Sequence, residues 1–149
     1  SKKKDQAYPA REMYEGGSLF RKMRDYVEQT YDKYYILSGK YGLLDPDEII
    51  EPYEDVVFFV QKIFRDRAKK EGRVLKAVSK EDQAKWGEEV ANKINWDQFD
   101  EVNFHINIYY WDPLKKHFTH NPEKFIHHKF ERRLGPNLKK LNDMLNINK

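Results

Sequence analysis

The chain has 149 residues, of which 28 are basic and 25 acidic, and it contains no cysteine. This length allows one domain with its own hydrophobic core, while the lack of cysteine excludes disulfides, thiolate zinc sites and cysteine nucleophiles. Aromatic residues make up 15% of the chain, which favours a folded protein because disordered chains are poor in them. No apolar run approaches the ~18 residues of a membrane span, and no apolar segment typical of a signal peptide follows the N-terminal lysines. We therefore expect a cytoplasmic protein that does not contact a membrane.

The first third of the chain predicts one helix and one short strand. Residues 1–17 are predicted to be irregular because they contain a proline and a glycine pair. Ser18 is a suitable cap for a helix to about Tyr31, since apolar residues recur on one face at helical spacing. Residues 34–37 predict a short buried strand, which is followed by a loop rich in glycine, proline and acidic residues.

The middle of the chain predicts two helices and a strand. Asp55 is predicted to cap a helix over about 56–70, and Ser79 a helix over about 80–94. Residues 102–109 alternate between apolar and polar side chains, which predicts a strand. The buried stripe of the first of these helices is predicted to consist of Val56, Phe59, Val60, Ile63 and Phe64.

The last part of the chain predicts a short helix from Asp112-Pro113 to about Phe118, a strand over 124–130, and a final helix after Gly135-Pro136. Strands that alternate with helices favour an α/β fold. We expect a single compact domain over residues 1–149, in which helices flank a largely parallel central sheet. Such sheets bind ligands at the carboxyl ends of their strands.

Positive and negative charges are segregated along the chain, although the net charge is only +3. Residues 2–24, 61–76 and 124–140 carry net charges of +4, +5 and +5, whereas residues 43–55 carry −6. Basic stretches near aromatic residues suit a polyanion, because lysine and arginine neutralise phosphates and rings stack on bases. The alternative is that they only solvate helix faces. The acidic loop has three interpretations: metal binding, general-base catalysis, or pairing with a neighbouring basic helix.

The segment whose residues best suit ligand binding or catalysis is the loop after the predicted strand. It begins Ser38-Gly39-Lys40-Tyr41-Gly42. Two glycines permit close backbone approach and Lys40 adds a positive charge, which suits a phosphate or a nucleobase. The pattern of a P-loop is absent. Of the acids that follow, Asp45 or Glu51 is a candidate general base if it lies near Lys40. The alternative is that Asp45 only forms a turn and the acids are solvated.

Other catalytic and cofactor motifs are absent from the sequence. The histidines lack the spacing of a zinc site, so no metal or cofactor is predicted, and His105 is interpreted as a hydrogen-bonded sheet residue. Neither GxSxG nor GxGxxG occurs, so triad hydrolases and dinucleotide-binding enzymes have no support. The tryptophans are interpreted as packing residues. Residues 109–111 (Tyr-Tyr-Trp) are alternatively a stacking platform for bases.

A family resemblance is carried by the runs SKKK, PAREMY, SLFRK, YYILSGKYGLLDPDEIIEPY, YYWDPL and RLGPNLKKLNDML. They resemble a family of small, mostly uncharacterised bacterial, archaeal and phage proteins, whose members typically read C-S-K-K-K, P-A-R-x-L-Y, L-F-R-K, Y-I-L-S-A-K-Y-G-L-L and x-E-P-Y-D. These proteins look distantly related to the YaaA-like proteins and to a domain of archaeosine synthase. The resemblance is specific over residues 1–53 and weaker from residue 79. In this sequence the family's first strand and cysteine do not precede S-K-K-K, and residues 55–78 look like an insertion that carries the basic helix.

The resemblance implies an α/β fold with a site formed by the motifs at residues 1–22 and 38–53. It also implies nucleic-acid or nucleotide substrates, because the relatives lie around modified-base metabolism, although a shared fold does not establish function. By motif position, the implied site residues are Ser1, Lys2, Arg11, Tyr14, Arg21, Ser38, Lys40, Tyr41, Glu51 and Tyr53.

The leading hypothesis is a nucleic-acid- or nucleotide-acting protein, in its most specific form an enzyme that cleaves an N-glycosidic bond in modified DNA. In this hypothesis cations hold phosphate, a tyrosine stacks on an exposed base and a carboxylate activates water. The expected catalytic residues are Glu51, Asp45 and Lys40, the phosphate would be held by Lys40, Arg11 and Arg21, and the stacking ring would be Tyr41 or Tyr53.

Two alternatives remain open at this point. The first is a non-enzymatic DNA- or RNA-binding protein that uses the basic helix over residues 56–70. The second is a protein-interaction module in which the acidic loop and the basic surfaces pair across an oligomer. In that module Val57 and Phe58, which lie off the main stripe of their predicted helix, would be interface residues.

Overall fold

The computed structural model describes residues 3–59 and 62–130, and within them the fold is mixed α/β. The helices are α1 (Ala10–Met13), α2 (Ser18–Thr30), α3 (Lys62–Lys70), α4 (Lys80–Asn92) and α5 (Ile108–Phe118). The strands are β1 (Tyr8–Pro9), β2 (Ile36–Ser38), β3 (Gly42–Leu44), β4 (Ile49–Ile50), β5 (Asp55–Val57), β6 (Leu75–Ala77), β7 (Val102–Asn107) and β8 (Phe125–Phe130). The helix expected after Gly135-Pro136 lies outside the described residues.

The strands of the described ranges pair in four two-stranded sheets, β1–β4, β2–β3, β5–β6 and β7–β8. The β1–β4 pair is antiparallel and the β5–β6 pair is parallel. The expected α/β class is therefore confirmed at the level of mixed α/β structure. A single, largely parallel central sheet stays a prediction.

The described residues form two compact units. Unit 1 contains residues 3–37, 43–52 and 130, and unit 2 contains residues 38–42, 53–59 and 62–129. Residues 38–42 therefore belong to unit 2, whereas the acidic residues over 43–52 and the basic N-terminal region belong to unit 1.

Unit 1 is built on α2 and on a short β1–α1 segment. The predicted apolar face of α2 is confirmed, because Tyr26 and Val27 are buried and Leu19 and Met23 pack against them. The residue that caps α2 is Gly17 rather than the predicted Ser18, and no side chain accepts a hydrogen bond there. The segment predicted to be irregular contains α1, where Ala10 and Met13 are fully buried. In α1 the amide of Ala10 donates to the carbonyl of Glu48 at 2.8 Å, which ties the helix to the acidic segment.

The predicted helix over 56–70 is wrong in its first half. Asp55–Val57 form the strand β5, which pairs with Leu75–Ala77, and the helix begins at Lys62. The physical reason is that two consecutive β-branched residues, Val56 and Val57, favour an extended backbone when a partner strand is available. The capping role predicted for Asp55 is wrong for the same reason.

The burial predicted for Phe59, Ile63 and Phe64 is also wrong, while Val56 is half-buried and Val60 lies outside the described residues. Phe59, Ile63 and Phe64 expose 48%, 64% and 49% of their surface, whereas Phe58 is buried. The ring of Phe58 packs edge-on against the rings of Trp86 and Tyr110 at 4.8 and 4.9 Å. Phe58 is therefore a core residue of unit 2, and its expected place in an interface is wrong. The shift of the helix start changed which side chains point inwards.

The second half of unit 2 follows the prediction more closely. Ser79 caps α4 as predicted, because its hydroxyl accepts a hydrogen bond from the amide of Asp82 at 3.1 Å. Helix α5 ends at Phe118 as predicted but begins at Ile108 rather than near Asp112. Its cap is the Asn107 side chain, which accepts from the amide of Tyr110 at 3.1 Å. A proline inside α5 costs one backbone hydrogen bond but does not break the helix.

Candidate functional site

The loop over residues 38–42 is held in shape by the hydroxyl of Ser38. Ser38 is buried, and its Oγ accepts hydrogen bonds from the amides of Lys40 at 3.2 Å and Tyr41 at 3.1 Å. A serine hydroxyl has two lone pairs and one proton. Since both lone pairs are occupied, Ser38 donates its proton to the hydroxyl oxygen of Tyr53, which lies 2.9 Å away. One buried hydroxyl thus organises the turn and links it to Tyr53.

A side chain of helix α4 forms a hydrogen bond with the backbone of the same loop. The indole Nε1 of Trp86 donates to the backbone carbonyl of Ser38 at 2.9 Å, and Trp86 is buried. The Trp86 ring is stacked on the ring of Tyr110 in α5, with centroids 5.3 Å apart. The end of strand β2 is therefore fixed by a side chain from a helix that lies far away in sequence.

Lys40 lies over two tyrosine rings. Its Nζ is 5.1 Å from the ring centroid of Tyr41 and 5.6 Å from that of Tyr53. The two rings are nearly perpendicular, at 87°, with centroids 5.4 Å apart. A cation at this distance from a ring face is attracted by the ring quadrupole, which restricts the motion of the lysine side chain. Among the described residues of unit 2, no carboxylate forms an ion pair with Lys40.

Gly39 lets the backbone pass close to α5. A Cβ atom at this position would lie 3.3 Å from the hydroxyl oxygen of Tyr110 and 3.3 Å from a methyl group of Val56. Burial, with a smaller contribution from the nearby Tyr53 hydroxyl, raises the pKa of Tyr110 to about 12. Tyr110 therefore stays neutral at physiological pH, and the loop backbone rests against an uncharged phenol.

The predicted site residues of unit 1 have partners within that unit. The guanidinium Nε of Arg11 lies 3.3 Å from a carboxylate oxygen of Asp47, and Arg21 donates to the backbone carbonyl of Glu15 at 2.7 Å. Tyr14 is buried and its ring contacts Phe20 with centroids 5.3 Å apart. Arg11 and Arg21 are both exposed, so they can reach a ligand only by exchanging or sharing these contacts.

Sequence reasoning missed Arg24, which lies at the centre of the charged contacts in unit 1. Its guanidinium donates to the carbonyl of Arg11 at 2.9 Å and to the carboxylate of Glu15 at 2.7 Å. The hydrogen bond from Arg24, aided by Lys4, holds the pKa of Glu15 below its usual range despite partial desolvation. The available signal was the spacing of Arg21 and Arg24, since residues three apart lie on the same side of a helix.

The two acidic candidates, Asp45 and Glu51, both lie on the surface of unit 1. Asp45 is exposed, and its carboxylate accepts a hydrogen bond from the amide of Asp47 at 3.0 Å, which is the geometry of an Asx turn. Glu51 is exposed as well. The turn interpretation of Asp45 is therefore confirmed, and its role as a general base stays a prediction, as does that of Glu51.

The structure thus gathers Ser38, Lys40, Tyr41 and Tyr53 into one arrangement within unit 2. Ser1 and Lys2 lie outside the described residues. The meeting of this arrangement with Arg11 and Arg21 in one pocket stays a prediction.

The rings of residues 109–111 are used for packing inside unit 2. Tyr110 is stacked on Trp86, and Trp111 is stacked on His127 with centroids 4.7 Å apart. Tyr109 is stacked on Phe59 at 4.6 Å. Each ring of the alternative stacking platform therefore already faces another ring of the protein on one side.

Metal-ligating residues do not cluster in the part of the chain that the structure describes. Within residues 3–59 and 62–130 no three histidine or acidic side chains are placed so that they could hold a metal ion together. No helix in those ranges is long and apolar enough to span a membrane.

Comparison with known proteins gives one partial match. A family model whose description is "Family of unknown function (DUF6884)" matches residues 1–69, which is less than half of the chain. The matched segment contains the loop over residues 38–42 together with Tyr53. No curated protein and no solved structure matches the chain. The resemblance to YaaA-like proteins and to archaeosine synthase stays a prediction.

Proposed function

We propose that this protein binds a nucleotide or a nucleic acid at the loop over residues 38–42, with Lys40 contacting a phosphate and Tyr41 contacting a base. The observation that carries the proposal is the position of the Lys40 ammonium over the rings of Tyr41 and Tyr53. An ammonium group carries three N–H donors, and its electrostatic attraction to a ring face leaves donors available for a hydrogen bond. Lys40 can therefore bind a phosphate oxygen while it remains over the rings.

Rigidity supports this proposal, because a ligand gains affinity when the groups that contact it are already ordered. The turn that carries Lys40 is fixed by Ser38, and the carbonyl of Ser38 is fixed by Trp86. A phosphate bound there loses little affinity to the ordering of the loop. Aromatic rings beside a cation are the combination that proteins use to bind single nucleotides and unpaired bases.

The proposal has a catalytic form and a non-catalytic form. The catalytic form is cleavage of an N-glycosidic bond, in which Glu51 or Asp45 activates water. The non-catalytic form is favoured by the surroundings of Lys40, whose contacts in unit 2 are aromatic rings rather than carboxylates. Glu51→Gln and Asp45→Asn together separate the two forms, since one of the two substitutions abolishes base release in the first form and neither changes nucleotide affinity in the second.

The test of binding is a calorimetric titration of the purified chain with the common nucleoside 5′-monophosphates. Loss of a charge-assisted hydrogen bond costs about 1.5–3 kcal/mol, so Lys40→Gln is expected to lower affinity by about 10- to 100-fold. Lys33→Gln is the matched control, because the Nζ of Lys33 also lies over a tyrosine ring, that of Tyr35, at 5.2 Å. Equal effects of the two substitutions, or no heat of binding with the unaltered chain, would refute the proposal.

A further inference from the structure

Helix α3 leaves apolar side chains exposed that a stable helix ordinarily buries. Of its residues only Ala68 is buried, while Ile63 and Phe64 expose 64% and 49% of their surface. Phe59, shortly before the helix, exposes 48%. A nine-residue helix is marginal by itself and gains its stability from packing. Exposed apolar residues in this setting mark a surface that contacts a partner.

The charge of α3 indicates the sign of that partner. The helix contains one acidic residue, Asp66, against five basic ones, which are Lys62, Arg65, Arg67, Lys69 and Lys70. Within the described residues of unit 2, none of these five side chains forms an ion pair with a carboxylate. The side chains of α3 are exposed apart from Ala68, so the positive charge faces solvent. Charge complementarity therefore favours an anionic partner.

The geometry of the aromatic rings indicates which anion. The ring of Phe59 is parallel to that of Tyr109, at 5° with centroids 4.6 Å apart, so its plane is fixed by a second ring. The guanidinium of Arg67 lies 5.9 Å from the centroid of Phe64. The Phe64 ring therefore presents its plane next to a cation, and the plane of the half-exposed Phe59 ring is held by Tyr109. A planar base recognises a ring plane by stacking, whereas an acyl chain gains nothing from a fixed ring orientation.

We propose that α3 and Phe59 form a docking surface for single-stranded nucleic acid, with phosphates on the α3 cations and unpaired bases on Phe59 and Phe64. Unpaired bases are required because the bases of a duplex are already stacked on one another. The inference rests on the proposed function for the class of ligand, but it concerns a different set of residues. In this proposal Lys40 binds one nucleotide and α3 holds the flanking strand.

The test is fluorescence anisotropy with a labelled single strand of about twelve nucleotides. This length is suitable because binding sites for single strands cover up to about 16 nucleotides. Arg65→Gln with Arg67→Gln is expected to reduce the slope of log affinity against log salt by about 1.4, from ~0.7 for each phosphate contact. Lys80→Gln with Lys85→Gln removes the same charge from the exposed side of α4 and is expected to leave the slope unchanged.

The stacking part is tested by Phe64→Leu, which keeps an apolar side chain but removes the ring plane. It is expected to lower single-strand affinity by about 5- to 100-fold, the loss that follows removal of one stacked base contact. Phe59→Leu provides a second, independent variant. Unchanged affinity in both, or equal affinity for the matched duplex, would overturn the stacking surface. Binding to vesicles of phosphatidylserine that Ile63→Ser abolishes, without single-strand binding, would show a membrane surface and overturn it as well.

The two proposals fail in different ways. If Lys40→Gln abolishes mononucleotide binding but the α3 variants bind the single strand normally, only the docking surface is wrong. If the α3 variants lose the single strand while Lys40→Gln changes nothing, the docking surface stands and the site at residues 38–42 is wrong. Circular dichroism of each variant confirms that the fold is retained, which is expected because the substituted side chains are exposed.

Discussion

At Gly87 the backbone of α4 lies close to the backbone of α5, and replacement of this glycine by alanine tests the packing directly. A Cβ atom at residue 87 would lie 2.3 Å from the carbonyl oxygen of Pro113 and 3.0 Å from the carbonyl carbon. Ordinary contacts of this kind are about 3.4 Å or longer, so the two helices must separate by about 1 Å. The atoms in the way belong to the backbone, so a change of side-chain rotamer cannot relieve the contact.

Two opposing effects set the size of the change in stability for Gly87→Ala. Alanine in place of glycine inside a helix stabilises by about 1 kcal/mol. Overpacking of a filled core costs about 1–3 kcal/mol, and a backbone contact this short lies at the upper end or beyond. The separation also disturbs the stack of Trp86 on Tyr110. We therefore expect a net loss of about 2 kcal/mol in the free energy of unfolding.

Urea denaturation followed by tryptophan fluorescence measures this loss. With a slope of about 2 kcal/mol per molar urea for a chain of this size, the midpoint is expected to fall by about 1 M. Ala84→Gly, at an exposed position of the same helix, calibrates the intrinsic glycine penalty and is expected to cost about 1 kcal/mol. A midpoint that rises in Gly87→Ala would mean that propensity alone acts, and the close approach of α4 to α5 would be refuted.

Three further predictions follow from single contacts. Trp86→Phe keeps a ring but removes the donor to the loop carbonyl, so it should lower nucleotide affinity, whereas Trp96→Phe, which loses a similar indole bond, should not. The lowered pKa of Glu15 stabilises the fold at pH values above the ordinary glutamate pKa, and this stabilisation is lost as the pH falls through the lowered pKa of the folded state. Glu15→Gln should therefore reduce the fall of the melting temperature at acid pH. Gly42 has φ +74°, so Gly42→Ala should cost about 1–2 kcal/mol in thermal unfolding and asparagine less; equal effects of the two residues would contradict the backbone explanation.

Local sequence patterns correctly predicted those helices and strands that are specified mainly by residues near in sequence. The apolar face of α2, the cap of α4 at Ser79 and the alternation of β7 were all readable, because helical and strand periodicities are properties of short segments. The loop over residues 38–42 was identified from its glycines and its lysine. Its inner geometry was not, since nothing in the sequence connects the Ser38 carbonyl to an indole 48 residues later.

The sequence by itself determined which chemical groups are available. The chain has no thiols, its charges are segregated, and an apolar strand is followed by a loop that contains Lys40 and Tyr41. Tertiary structure decided which of these groups act together. Residues 55–57 became a strand because residues 75–77 were there to pair with them, and this moved Phe58 into the core and left Ile63 exposed. The physical reason is that backbone pairing and burial are interactions between distant segments, and their free energy outweighs the weak intrinsic preference of any one segment.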